Sequence, residues 1–358
     1  MRLTHLSLGG LRVFAEAELF PGPGVSWLYG LNGAGKTSVL EALYTLGHGR
    51  SFRSAGIDSV LREGAERLWI SSRWAGDFGE RQFGAGRARG GTWDLRSDGT
   101  RVSRFAELGA EIPMLCFEPG SHALVSGPAE RRRRLVDWGV FHVERVPLSV
   151  WQNWQRALLQ RNQALRNRDR DALDAWDAVA ALAGERLNAA REVFASRWLP
   201  RACQALSLLS GELGGLRLDY RRGWGKSHSN LLSAWSIGRE TDLAQGFTGS
   251  GPQRMDISLR LDGVEARDRL SRGQSKLVAM ALLLALAQEY FEVRARWPLL
   301  LLDDLCSELD GARVRSVLGF LRAHGVQALI TGVEASPAGP SPQEPVFHVE
   351  RGTITPLL

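Results

Sequence analysis

Lysine is nearly missing from this 358-residue chain: only Lys36, Lys226 and Lys276 interrupt forty-two arginines. A lysine at any one position is therefore roughly a one-in-a-hundred event by composition, so Lys36 carries weight where it stands. Cysteine is scarce too. Cys116, Cys203 and Cys306 are odd in number, far apart and not at metal-ligand spacing, which excludes a disulfide framework and a zinc site and leaves interior thiols. No uncharged apolar run approaches the roughly eighteen residues of a membrane span; the stretch from Ala279 to Ala287 ends at Gln288. At the N-terminus, Arg2 and His5 fall in an alternating segment with neither the apolar block nor the cleavage site of a secretory leader, so the expected location is the cytoplasm.

With 44% apolar and 23% charged residues, the chain is long enough to divide a core between two domains, and disorder is excluded. The net charge of +6 favours a polyanionic partner and is silent on fold. Residues 3–8 alternate, and 11–20 and 25–29 are short apolar runs parted by Pro21-Gly22-Pro23-Gly24, the pattern of strands. Between 66 and 105, segments such as Leu68 to Trp74 and Thr92 to Arg96, punctuated by glycine and Asp-Gly, predict antiparallel hairpins. From about Pro128 long helices take over. Leu173, Trp176, Ala180, Ala183, Leu187, Ala190 and Phe194 recur at spacings of three and four and form one apolar stripe. Trp151 to Arg168 reads as the antiparallel mate, with the reversal near Asp169 to Asp171. The stripe lasts only about three heptads, so a packed helical subdomain is expected rather than a self-assembling coiled coil.

The Gly/Ser-rich stretch from Arg222 to Gly251 is expected to be mobile. After it come a strand at Asp256 to Leu261, a helix at Ser275 to Arg294, an apolar strand at Pro298 to Leu302, a helix at Gly311 to Ala323 and a strand at Val326 to Thr331. Both chain ends are thus α/β, with helices inserted between them. The expected division is a discontinuous ATPase head of residues 1–120 and 250–358 around a mainly helical lobe at 121–249.

Three elements carry chemistry. Gly30, Leu31, Asn32, Gly33, Ala34, Gly35, Lys36 and Thr37 fit G-x-x-x-x-G-K-[ST] at every fixed position, follow a strand and, with Ser38, open a helix. Glycines let the backbone wrap phosphates so that amides and the helix N-terminus face them; Lys36 neutralises the β/γ oxygens and the Thr37 hydroxyl ligates magnesium. Downstream, Leu300-Leu301-Leu302 ends in Asp303 and Asp304, which places Asp303 as the metal-side acid and Asp304 as the acid beside an attacking water. Third, Leu270-Ser271-Arg272-Gly273-Gln274 precedes a long helix; Ser and Gly there often merely cap it, yet hydroxyl, glycine backbone and helix terminus together suit an anion.

Set just before the acidic strand, that third element resembles the signature loop of ABC-type ATPases, and Ser307-Glu308-Leu309-Asp310 resembles their D-loop. The resemblance implies that Ser271, Gly273 and Gln274 close over nucleotide held by another protomer, making ATP a dimer-forming ligand. The segments GLNGAGKTSVLEALYTLGHGRSFR from Gly30 to Arg53, RRRRLVDWGVFH at 131–142, QRNQALR at 160–166, LSRGQSK at 270–276 and LLDDLCSELD at 301–310 resemble the RecF family of bacterial recombination proteins, related to SMC heads without their long coiled coil. That family resemblance implies ATP-dependent dimerisation, binding of single-stranded or gapped DNA and weak DNA-stimulated ATP hydrolysis. It also implies work with RecO and RecR that loads the recombinase RecA at gaps, linking repair, replication restart and the SOS response. The chain departs from the family pattern at Pro119-Gly120, at Ser126-Gly127-Pro128 and at Gln253, where a histidine is usual.

Arg131 to Arg134 form a run, and Arg156, Arg161, Arg166, Arg168 and Arg170 cluster along the helical lobe, a candidate DNA-facing surface. Trp151 and Trp154 are at helical spacing and are expected in the core rather than against bases. Arg50 and Arg53, just beyond the phosphate-loop helix, are candidates for sensing nucleotide or the partner protomer. Two other readings stand beside the repair ATPase: a nucleotide-gated protein scaffold with incidental DNA contact, and a transporter ATPase subunit. The latter is disfavoured by the absence of a switch histidine near Thr331.

Overall fold

The structure is a computed structural model that describes all residues except 55, 77–78, 334–338 and 358. The chain divides into two compact units, Met1–Ser121 with Arg294–Leu358, and His122–Val293. The passages between units fall at 121/122 and 293/294, so the antiparallel strands and most of the long helix that follow residue 250 belong to the second unit.

The strands in chain order are β1 (Arg2–Leu11), β2 (Phe14–Leu19), β3 (Val25–Tyr29), β4 (Arg67–Gly76), β5 (Gly79–Ala88), β6 (Trp93–Ser97), β7 (Thr100–Val102) and β8 (Met114–Phe117). There follow β9 (Leu216–Arg221), β10 (Asp256–Leu261), β11 (Val264–Glu265), β12 (Leu299–Leu302), β13 (Ala328–Gly332), β14 (Val346–Glu350) and β15 (Thr353–Leu357). The first unit holds two six-stranded sheets, an antiparallel one in the order β2-β1-β4-β5-β6-β7 and a mainly parallel one in the order β15-β14-β3-β13-β12-β8. Covered on both faces, β12 is a run of four buried leucines, the composition a central parallel strand requires. The helix Lys36–His48 fills the space between the sheets: its Val39, Leu40, Leu43 and Leu46 pack in one cluster with Leu6, Leu8, Ile70 and Phe83 from one sheet and Leu301 and Leu329 from the other. Buried Gln327 staples the chain's beginning to this layer, accepting from Leu3 N and donating to Leu3 O and Gly22 O, each at 2.8 Å.

In the second unit the helices Ser149–Asn167 and Arg170–Leu209 reverse at Arg168, which adopts the left-handed region, and Asp169, whose carboxylate caps the second helix through Ala172 N at 3.0 Å. The expected stripe is buried at Leu173, Ala180, Leu187 and Phe194. Between Arg222 and Gly251 the expectation of a mobile stretch is corrected: Leu231–Gln245 is a helix, opened by an Asn230–Ser233 capping box and closed at Gly246. Trp235 on it is fully buried, and burial of one large aromatic outweighs a Gly/Ser-rich neighbourhood. Among the described residues no helix is long and apolar enough to cross a membrane.

Close packing explains part of the DWGVFH segment. A Cβ on Gly139 would stand 2.1 Å from Phe194 Cζ, so helix Ala129–His142 meets Arg170–Leu209 through a missing side chain. Gly139→Ala, which gains helix propensity, is nevertheless expected to lower stability by about 1–3 kcal/mol through overpacking, seen as a lower urea midpoint.

Candidate functional site

The phosphate loop leaves β3 and enters helix Lys36–His48. Gly30 has φ +154° and a Cβ there would lie 2.1 Å from Val349 O; Gly35 has φ +116° and a Cβ would meet Val13 and Phe14 at 2.8 Å. Both positions therefore exclude a side chain twice over, by dihedral and by contact. Leu31, Asn32 and Gly33 are exposed at the loop tip, and Ala34 N donates to Leu31 O at 3.2 Å. Lys36 is buried and folds back to donate to Gly30 O at 2.8 Å and Leu31 O at 3.0 Å. Ser38 is buried, its amide donating to Gly35 O. Because the helix starts at Lys36, the amides of Lys36 and Thr37 have no helical carbonyl behind them and point a partial positive charge out of the N-terminus.

The acidic strand reaches the same place from 266 residues away. Thr37 Oγ1 donates to Asp303 Oδ1 at 2.9 Å, and Thr331 Oγ1 donates to the same oxygen at 2.7 Å. Asp303 is buried, and its pKa is pushed up to about 6, first by burial and further by the charge of Asp304, against the hydrogen bonds of Thr331 and Thr37 and the cation of Arg53. Asp304 sits in the left-handed region at φ +51°, held by its amide donating to Thr331 Oγ1 at 2.8 Å. Its Oδ1 is buried without a hydrogen-bond partner among the described residues. An unanswered acceptor in such a position is costly unless something else occupies it.

Three further residues shape this site and were invisible to motif reading. Thr331 at the end of β13 braces both acids. Glu41, fully buried, receives Arg12 Nε at 2.9 Å and Nη2 at 2.7 Å, and accepts a hydrogen bond from Ser51 Oγ. Ser51 in turn accepts from the amides of Arg53 and Ser54 at 2.9 Å, so the segment after the helix is tied to the helix itself and Arg53 is carried to where its charge acts on Asp303. The available signal was a lone carboxylate amid an apolar helix.

His48 stacks on Tyr44 with ring centroids 3.9 Å apart, and burial, with help from Arg50, lowers its pKa from 6.5 to about 4. The unfolded chain binds this proton more readily, so stability present above about pH 6.5 is lost as pH falls toward 4, by at most roughly 3 kcal/mol. His48→Gln is expected to flatten that part of the pH dependence of the urea midpoint.

Lys36, Thr37, Asp303 and Asp304 are thus brought together in the first unit. Ser271, Gly273 and Gln274 stand in the second unit, Ser271 immediately before helix Arg272–Arg294 and the other two on its first turn. Ser271 and Gly273 are exposed, and Ser271 and Gln274 form a reciprocal cap, Gln274 N donating to Ser271 Oγ at 3.2 Å and Ser271 N to Gln274 Oε1 at 3.0 Å. Asp310 of the D-loop-like segment caps helix Gly311–Ala323 through Ala312 N and Arg313 N, both at 3.1 Å.

The basic surface needs correction. Arg132 is buried, pairing with both oxygens of Asp256 at 2.7 and 3.0 Å and closing the carbonyls of Leu124 and Gly127. Arg133 donates to Met255 O. Arg161 is entirely buried between Asp177 and Asp242. Arg131, Arg156, Arg166 and Arg168 are exposed, and Arg170, also exposed, pairs with Glu240 at 3.0 Å. Trp154 is core, as expected, and Trp151 donates to Asp137 Oδ1 at 3.1 Å.

Residues 2–339 match the RecF/RecN/SMC N terminal domain family. The chain is 41% identical to the DNA replication and repair protein RecF of Stenotrophomonas maltophilia, covering 99% of each chain, and 42% identical to that of Xanthomonas euvesicatoria, covering 99% of this chain and 98% of the relative. Among solved structures, a recombination mediator protein RecF with ATP, of the RecFOR pathway, superposes with a TM-score of 0.88 at 23% identity, over 100% of this chain and 98% of that one. An Smc head domain from Pyrococcus furiosus superposes with a TM-score of 0.60 at 12% identity, over 99% and 96%. The fold is therefore that of RecF and SMC heads, α/β with helices inserted.

Proposed function

The chain belongs to the RecF family of DNA replication and repair proteins, and from that premise we propose that it is an ATP-operated, DNA-binding protein of recombinational repair. The observation that carries this reading is Asp303 Oδ1, the shared acceptor of Thr37 and Thr331, which joins the phosphate loop to the acidic strand. Residues 30–37 would hold the triphosphate on free first-turn amides, and Lys36 would exchange two loop carbonyls for phosphate oxygens. A hydroxyl and a carboxylate oxygen, Thr37 and Asp303, already converge and suit a hard divalent cation; magnesium held there would neutralise charge on the phosphates. Asp304, with its unpartnered Oδ1, accepts the proton of the attacking water.

Ser271, Gly273 and Gln274 of a second copy complete the site, so ATP binding and dimerisation are thermodynamically linked. The ATP-bound dimer holds single-stranded or gapped DNA in the cytoplasm. There it works with RecO and RecR so that RecA is loaded at gaps, supporting replication restart and SOS induction, and slow DNA-stimulated hydrolysis sets the lifetime of the complex. Ser271→Arg is expected to leave monomer ATP binding intact and to block association; equal monomer mass for wild type and variant with ATP in sedimentation sinks the sandwich. Asp304→Asn is expected to give a long-lived ATP dimer with turnover reduced by about 10²-fold or more.

One observation favours the scaffold reading: Arg132, Arg133 and Arg161 spend their charge internally instead of on a DNA surface. Phosphate contacts give a steep log-log salt slope with gapped duplex, and a scaffold gives none.

A further inference from the structure

The antiparallel sheet of the first unit has one face in the core, and its other face, which carries the exposed Arg67 and the partly exposed Trp69, is built unlike an ordinary solvated sheet. Trp69 lies between two glycines in register, Gly9 on β1 and Gly86 on β5. A Cβ on Gly9 would fall 2.5–2.9 Å from Nε1, Cε2 and Cζ2 of Trp69, so the indole lies across the glycine, flat against the sheet, and remains partly exposed. On the other side the Arg67 guanidinium reaches over Gly86, 3.8 Å from where its Cβ would be. An indole and a guanidinium thus lie on a glycine floor and form the ridge between two hollows, of about 560 and 280 Å³, that share both residues.

The charge around this ridge is biased. Arg62 and Arg67 form no ion pair among the described residues, and Asp94 is answered by Arg96 at 3.1 Å and Arg101 at 3.7 Å, leaving Glu16 as the one unanswered carboxylate of the two linings. Planar aromatic and guanidinium surfaces beside uncommitted arginines match what unpaired bases and their phosphates require. A duplex buries its base faces and gains nothing from such a floor.

We propose that this sheet face binds single-stranded nucleic acid, with bases stacking on Trp69 and Arg67 and phosphates drawn to Arg62. This deepens the DNA-binding part of the proposed function, on which it rests, and it assigns a surface in place of the inward-turned arginines of the helical lobe. Gly9 acts here as a positioning residue, because any side chain at that place lifts the indole.

The test is fluorescence anisotropy of a labelled short oligothymidylate with the full chain, alongside ATP-dependent mass and gapped-duplex binding in the same preparations. Trp69→Ala and Arg67→Ala are each expected to weaken oligothymidylate binding about tenfold with dimer mass unchanged, Trp69→Phe to retain most of it, and Gly9→Ala, which keeps the tryptophan but displaces it, to lose part. Unchanged affinity in both alanine variants while wild type still binds gapped duplex overturns the platform and leaves the repair reading standing. Wild type binding neither DNA overturns the DNA reading itself. Competition by polyglutamate as strong as by oligothymidylate of equal charge overturns the assignment in favour of an acidic protein partner.

Discussion

Lys36→Ala is expected to abolish measurable ATP binding and, with it, the ATP-dependent dimer. Lys36 is one of three lysines in the chain, is buried, and parks its ammonium on Gly30 O and Leu31 O, groups that solvent or neighbouring amides can satisfy once it leaves. Truncating one member of a buried, hydrogen-bonded charge pair costs roughly 2–5 kcal/mol, which corresponds to about 30-fold to several thousand-fold in affinity. Isothermal titration with ATP reads the first effect and sedimentation with and without ATP the second. Retention of affinity within about tenfold of wild type sinks the assignment of the loop as the triphosphate site. The folded state should be little changed, because the helix behind Lys36 is held by Val39, Leu40, Leu43 and Leu46 in the core.

The second large effect is on stability. Arg161→Ala is expected to destabilise the helical lobe by about 3–5 kcal/mol at neutral pH. Its guanidinium donates to Asp177 Oδ1 at 2.7 Å, to Asp242 Oδ2 at 2.9 Å and to Thr248 Oγ1 at 2.7 Å, and it stands 4.1 Å from the Trp235 ring centroid. Alanine leaves two carboxylates in an apolar setting with no cation between them. Burial already lifts the Asp177 pKa against the pull of Arg161, and losing that pull lifts it further. A carboxylate raised in the folded state binds its proton more readily folded than unfolded, so the variant's deficit shrinks as pH falls toward that raised pKa and grows as pH rises through it. Urea midpoints at neutral and mildly acidic pH check both size and sign; a loss under about 1 kcal/mol at neutral pH defeats the account.

That same residue shows where reading the chain stops. The octet at 30–37, the acids at 303 and 304, the helix at Gly311–Ala323 and the strand at Asp256–Leu261 are where local pattern puts them, because each is decided by neighbours in sequence. Arg161 was grouped with surface arginines since composition cannot distinguish a solvated cation from one clamped by carboxylates 16 and 81 residues away. Thr331 escaped for the same reason: its value lies in register with β12, which only the sheet supplies. The helix Leu231–Gln245 was missed because its formation follows from Trp235 finding a core, not from the propensity of its surroundings.

The strand that delivers the phosphate loop has a consequence for how the molecule is made. β3 emerges among the first thirty residues, yet its hydrogen-bonded neighbours are β13 and β14, beyond residue 327. A ribosome must therefore release the roughly three hundred residues that separate β3 from β13 before that strand has either flank, and until then it waits with unpaired apolar edges, a natural client for a holding chaperone.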